Sequence, residues 1–352
     1  MKNRIEYIDA MRGLAMFLVV FVHIEIFCFF NFSYLTFLGS LIILIHMPLF
    51  FFISGYVAYN TSLPTKVQFK SKFISLILPM LFFGILYTYL ISRKNLTLFI
   101  LDSAKIGYWF TLVLFEMYMI YYLVKLLSAK LISKYKSFWV WILFLISMIA
   151  YIGKYPMRVI DSLDYIGGIF SLHYTMNFLQ FFVLGILFMH YKGFIEKFIN
   201  KFCKSLYVII SLITISFIGA YCKYSFLDPM ITDIGGFTKI ISMLTGTFCS
   251  YLAVIAVFLI FNKYSGYISQ NKKKVRWLVN LGTKTLDVYL LHYFIIGLIP
   301  LYNYNYFLKT NIVYEIVLIS FFSVLVIYFS LILSSIIRKN RVLGKFLLGA
   351  KS

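Results

Sequence analysis

Apolar residues run along this chain in long blocks, unlike the alternating or one-faced patterns of soluble strands and helices. Ten blocks are each about the 20 residues that a helix needs to cross a bilayer. They cover residues 8–30, 37–60, 74–92, 107–127, 137–153, 175–191, 206–222, 238–262, 281–301 and 312–337. Only short polar connections separate them. The pattern predicts an all-α polytopic membrane protein with ten transmembrane helices. With the N-terminus inside, an even number of spans puts both termini in the cytoplasm. Residues 1–352 then form a single integral-membrane domain with no extramembrane domain.

Composition supports this reading. Of 352 residues, 62% are apolar, 20% aromatic and only 13% charged, with a mean hydropathy of +0.90. No soluble domain needs so much apolar surface. The formal charge of +21 raises the question of nucleic acid, but a nucleic-acid footprint belongs on one polar face or domain, and none exists here. Short cytoplasmic loops are enriched in Lys and Arg. The predicted topology puts most of the basic residues on that side, in the termini and in loops 61–73, 128–136, 192–205 and 263–280. Runs such as "NKKKVR" (271–276) therefore read as topology signals that also touch anionic lipid heads.

The first block lacks a small-residue cleavage site and carries Arg12 and His23, so it reads as a retained span. Residues 154–174 form the longest outer segment and suit a short reentrant or amphipathic piece. Cys28, Cys203, Cys222 and Cys249 show no metal-ligand spacing, so core packing is their default role and no metal is expected. Cys28 and Cys222 both lie near the outer side, where pairing is conceivable.

Ionisable groups inside a span are expensive and so point to function. Asp9, Arg12, His23, Glu25, His46, Glu116, Asp287 and His292 all fall within blocks. Asp9 and Arg12, three apart on one face near the cytoplasmic boundary, can neutralise each other. Arg12 and His23 are eleven residues apart, which returns a helix to within roughly 20° of the same face, about 16 Å further along. That spacing alone leaves open a boundary anchor with an unrelated histidine. Span two places His46 in the outer half, with Pro48 able to kink the helix and Gly55 permitting close approach. Trp109 sits at the outer interface, Glu116 about two turns below it, and His292 near mid-depth. Four helices thus bring titratable groups to related depth, which favours a shared polar cavity.

Several segments now carry a resemblance. "YIDAMRGLAMFLVVFVH" (7–23) resembles the opening signature of the membrane-bound acyltransferase family 3, an Arg or Lys followed after ten residues by His. "HMPLFFFISGY" (46–56), "WFTLVLFEMY" (109–118), "FFVLG" (181–185) and "LGTKTLDVYLLH" (281–292) resemble its later motifs, in order. The resemblance runs over nearly the whole chain and is closest to stand-alone sugar O-acetyltransferases. It implies transfer of an acyl group, usually acetyl from cytoplasmic acetyl-CoA, to a hydroxyl of a cell-surface glycan or its lipid-linked precursor. In one respect the chain departs from the pattern. Relatives often carry two arginines three apart before the third helix, whereas "KSKFISLILP" (70–79) offers Lys70 and Lys72 and places Ser75 where the second arginine is expected. Lys72 can replace that contact in part, as a point charge and not a bidentate clamp.

On this resemblance His23 is the expected general base, since a sugar hydroxyl attacks a thioester only as its proton leaves. Glu116 is the expected acid that orients or charges it. Arg12 and Lys72 are expected to hold the anionic end of acetyl-CoA, the co-substrate. His46, His292 and Trp109 are expected to bind the acceptor or stabilise the developing oxyanion. The expected location is the plasma (inner) membrane, the partners being the bilayer and a glycan or lipid-linked saccharide and not nucleic acid. Ten spans with interior His and Glu also fit a proton-coupled transporter or exporter, and the missing second arginine keeps open an inactive partner subunit. Acceptor identity, the acyl group and oligomeric state are not encoded legibly.

Overall fold

In a bilayer every backbone N–H and C=O must be satisfied within the chain, so apolar blocks of this length fold as helices. The computed structural model describes residues 5–29, 37–93, 95–131, 137–157, 160–203, 205–228, 236–270, 272–299 and 311–349. Among them every element is helical. These are α1 (Glu6–Ile24), α2 (Phe37–Ala58), α3 (Lys66–Lys72), α4 (Leu78–Tyr87), α5 (Leu96–Leu101), α6 (Trp109–Leu131), α7 (Phe138–Met157), α8 (Asp161–Ile169) and α9 (Leu172–His190), then α10 (Lys192–Phe198), α11 (Leu206–Cys222), α12 (Gly236–Lys263), α13 (Ser265–Gln270), α14 (Lys272–Thr283), α15 (Thr285–Ile296), α16 (Ile312–Lys339) and α17 (Arg341–Leu348). Wider π-helical turns extend some of them, including Glu25–Phe29 directly after α1 and Phe73–Ile77 directly after α3. Such turns concentrate at functional sites, and these two follow His23 and Lys72 closely.

Eight helical segments among the described residues are long and apolar enough to cross a membrane. They are Glu6–Phe29, Phe37–Ala58, Lys66–Ser92, Trp109–Ala129, Leu172–His190, Leu206–Leu227, Thr238–Lys263 and Ile312–Lys339. The protein is therefore all-α and multi-pass. The ninth predicted span contains a shorter apolar helix, Thr285–Ile296, and the fifth corresponds to α7, apolar over Phe138–Lys154. Block 281–301 is not one continuous helix. The chain turns at Lys284, whose amide donates to Leu281 O at 3.0 Å, and a new helix starts at Thr285. Pro48, by contrast, lies inside an unbroken α2. A short helix, Asp161–Ile169, lies within 154–174, where a short reentrant or amphipathic piece was expected.

The chain forms two compact units. The first comprises Met1–Ile53, Tyr191–Thr285 and Ile295–Phe329; the second comprises Ser54–His190, Leu286–Phe294 and Ser330–Ser352.

In the first unit, residues 265–270 and 272–280 are helical where a loop was expected. The Lys-rich start of α14 hides an amphipathic pattern, with Val275, Leu278, Val279 and Gly282 at helical spacing. That face of α14 packs along α1 through glycines. A Cβ built on Gly13 would lie 2.1 Å from Leu278 O, and one built on Gly282 would lie 1.7 Å from Asp9 O. Phe17 meets Trp277 edge-on at 6.2 Å beside them. Because the obstacles are backbone atoms, Gly13→Ala and Gly282→Ala should each cost roughly 1–3 kcal/mol by overpacking. Gly193→Ala is the control, since nothing lies within 4 Å of its built Cβ. Unfolding by SDS titration in mixed micelles checks this; equal stability of all three variants would contradict it.

Cys28, Cys222 and Cys249 are free thiols, so Cys28 and Cys222 do not pair. Cys28 is buried, with its Sγ 3.9 Å from Ile296 O, while Gly219 admits Cys249 between α11 and α12. Small residues allow such close helix approach in membranes.

In the second unit, Gly55 of α2 lies against α9, where its Cβ would meet Phe182 O at 1.8 Å. The motif containing Gly55 thus packs on "FFVLG" (181–185). Short helix α15 is tied to α16 by a carboxylate: Arg338 Nε and Nη2 donate to Asp287 at 2.7 Å each, and Ser334 Oγ donates at 2.5 Å. Asp287 is 1% exposed.

Candidate active site

Helix α1 is uninterrupted from Glu6 to Ile24, so Arg12 and His23 do share one rigid helix in the first unit. Both are half-buried. Arg12 Nη1 stands 3.6 Å from Asp9 Oδ1, the neutralising pair expected from their spacing. His23 meets Phe27 edge-on at 5.7 Å. The π-helical turn that follows buries Glu25 completely. Gly39 of α2 makes room for it, since a Cβ there would lie 2.2 Å from Glu25 Oε2.

His46 is buried in α2, and its Nδ1 lies 2.8 Å from Ile42 O. A carbonyl only accepts, so Nδ1 carries the proton and donates, which leaves Nε2 as the accepting nitrogen. His292, fully buried in the second unit, repeats the arrangement: Nδ1–H donates to Val288 O at 3.0 Å. Its ring lies 4.1 Å from that of Tyr293.

The remaining expected site residues also lie in the second unit. Glu116, on α6, accepts from Thr175 Oγ1 at 2.5 Å through Oε2. Its buried Oε1 has no hydrogen-bond partner among the described residues. Trp109 stacks on Tyr174 at 4.2 Å and on Phe178 at 5.7 Å, both at 17°. The turn ahead of α6 is clamped onto α15. Tyr289 and Tyr293 hydroxyls both donate to Gly107 O, at 2.9 and 3.2 Å, and Tyr108 OH donates to Leu290 O at 3.0 Å. Gly107 has φ +102°, and a Cβ there would strike Tyr293 at 2.5 Å. The motifs "WFTLVLFEMY" and "LDVYLLH" are therefore joined through tyrosines.

Lys105 braces the same turn, although sequence gave it no role. It is 3% exposed, and its Nζ donates to the carbonyls of Ile100, Asp102 and Gly168 at 2.6, 3.0 and 2.6 Å. Burial pulls its ammonium down to about 8, against the opposing pull of Asp102 and Glu116.

Lys72 Nζ lies 3.6 Å from the ring centroid of Tyr118. Tyr118 is two residues, about 3 Å of rise, beyond Glu116 on α6. Lys72 also lines a cavity of 690 Å³ together with Lys70, Ser75, Tyr122 and Lys345. Lys345 joins it only in the folded chain. Among the described residues, no three His, Cys, Asp or Glu side chains are grouped to hold a metal ion.

The family model of an acyltransferase domain, that of acyltransferase family 3, matches residues 5–335. No curated protein and no solved structure matches the chain.

Proposed function

Because the chain belongs to acyltransferase family 3 and is a multi-pass membrane protein, we propose that it transfers an acetyl group from cytoplasmic acetyl-CoA to a hydroxyl of a cell-surface glycan or its lipid-linked precursor. It does so in the plasma (inner) membrane, with both termini in the cytoplasm. The observation that carries this is the match over 5–335 to an acyltransferase domain, with Arg12 and His23 on one unbroken helix. The match favours acyl transfer over the proton-coupled transporter that interior His and Glu residues also suggested.

Acetyl-CoA supplies an activated thioester, and the chain's own residues do the rest. His23 removes the proton of the acceptor hydroxyl as its oxygen attacks the carbonyl, the thioester C–S bond breaks, and the imidazolium returns that proton to the departing CoA sulfur, a role for which imidazole is suited. Glu116 serves as the catalytic carboxylate, since Thr175 fixes Oε2 and leaves Oε1 to accept a hydrogen bond. His46 and His292, with Nδ1 committed to a backbone carbonyl, accept hydrogen bonds from sugar hydroxyls through Nε2. Neutral, they cannot also donate to an oxyanion there. Trp109, with its stacked neighbours, forms an aromatic wall for the sugar. Arg12 and Lys72 hold donor phosphates.

Release of CoA thiol by purified protein, dependent on added glycan, tests this reading. In the same assay Arg12→Ala should raise KM for acetyl-CoA about 10- to 100-fold, the worth of one charge-assisted contact, with a smaller change in kcat. An unchanged KM would remove Arg12 from donor binding.

A further inference from the structure

Three lysines, Lys70, Lys72 and Lys345, line the 690 Å³ cavity, and among the described residues no carboxylate lines it. Like charges around one space repel one another, and an anion in that space would turn the repulsion into attraction. Lys70 and Lys72 come from α3. Lys345 comes from α17, more than 270 residues later in the chain.

Lys345 does not ride on a loose tail. Asn340 caps α17, its Oδ1 accepting from Val342 and Leu343 amides at 3.0 and 3.2 Å. Gly344 and Leu348 are buried, and the helix stops at Gly349 in the left-handed region, φ +61°. At that stop the chain rests on Ser75: a Cβ built on Gly349 would lie 2.8 Å from Ser75 O and 3.2 Å from Ser75 Cβ. The absence of a side chain at 349 is what lets the end of α17 close in so tightly.

We propose that Lys70, Lys72 and Lys345 form a phosphate-binding site completed by the C-terminal helix. The proposal rests on the acyltransferase reading for its first ligand, the phosphorylated nucleotide end of the donor. Ile74 and Tyr122 give the cavity an organic wall beside the cations, so the ligand is a phosphorylated organic group in preference to free phosphate. The volume lies within the range of small-molecule sites. An anionic lipid headgroup offers the same chemistry and is the second source.

The test uses the full-length protein in phosphatidylcholine nanodiscs, with the adenosine bisphosphate half of CoA as probe. Lys345→Gln should weaken probe binding about tenfold, and the Lys70→Gln/Lys345→Gln pair about a hundredfold, each loss shrinking at high salt. Lys345→Arg should restore binding, which shows that charge and not helix packing is at stake. In nanodiscs containing phosphatidylglycerol, loss of lipid retention in Lys345→Gln with no effect on the probe would sustain the site and assign it to lipid. Equal probe affinity and equal lipid retention in all variants would overturn the proposal. Acetyl-pantetheine, a donor without phosphates, separates this outcome from failure of the enzymatic reading. Wild type and Lys345→Gln should use it equally. Turnover of neither donor by wild type would count against acyl transfer while leaving the binding result standing.

Discussion

Replacing His23 by alanine should reduce acyl transfer by about 10²–10⁴-fold, the usual worth of a positioned general base, while leaving KM for acetyl-CoA nearly unchanged. The expectation follows from location and chemistry together. His23 is half-buried at the end of α1, just before a π-helical turn, and its ring packs edge-on against Phe27. Truncation removes a proton acceptor and little core, so the variant should fold. A base is needed only when the acceptor hydroxyl attacks, so the loss belongs in kcat, in contrast to the KM effect expected of Arg12→Ala. A variant with a raised KM and normal kcat would show that His23 binds substrate and does not move a proton.

The largest structural effect should come from Arg338→Ala. Asp287 is 1% exposed and has Arg338 and Ser334 as its partners. Removing the guanidinium leaves a buried carboxylate held by one hydroxyl, and breaking a buried pair from one side costs about 3–5 kcal/mol. Joint replacement, Asp287→Leu with Arg338→Met, should recover most of that loss because no charge is left buried. SDS-titration unfolding of the two variants checks the difference. A single variant as stable as wild type would mean that α15 is held to the second unit by packing alone. Activity should fall with the single substitution too, since α15 carries His292 and the tyrosines that clamp the turn before Trp109.

Much of this architecture is legible in the chain because the bilayer imposes one rule, that apolar blocks become helices. The continuity of α1, the Asp9–Arg12 pair and the close approach at Gly55 follow from short-range spacing, and all are present. Misreadings arose where local composition and long-range packing disagree. Lysines at 272–274 suggested a loop, yet the apolar face behind them folds as α14 along α1. Block 281–301 reads as a single span, but its helix breaks at Lys284, just after the segment that packs on α1 through Gly282. Depth counting put Cys28 and Cys222 together, but depth says nothing about lateral position, and both thiols are free. Lys105 and Lys345 carry no local signal of their roles. One is buried by carbonyls from two segments, and the other reaches its cavity from the far end of the chain. For α17 the usable signals are its stops, Asn340 before it and Gly349 after it, which mark a short defined helix in a stretch whose composition reads as a basic tail.

The central claim is acyl transfer that depends on His23. Its most direct test is to supply acetyl-CoA, labelled in the acetyl group, to membranes containing equal folded amounts of wild type or His23→Ala, with native glycan present. The account predicts label in glycan with wild type and almost none with His23→Ala. Equal labelling by both would contradict the role of His23. Absence of label from both, with the donor intact, would contradict acyl transfer by this chain and return weight to an inactive partner subunit.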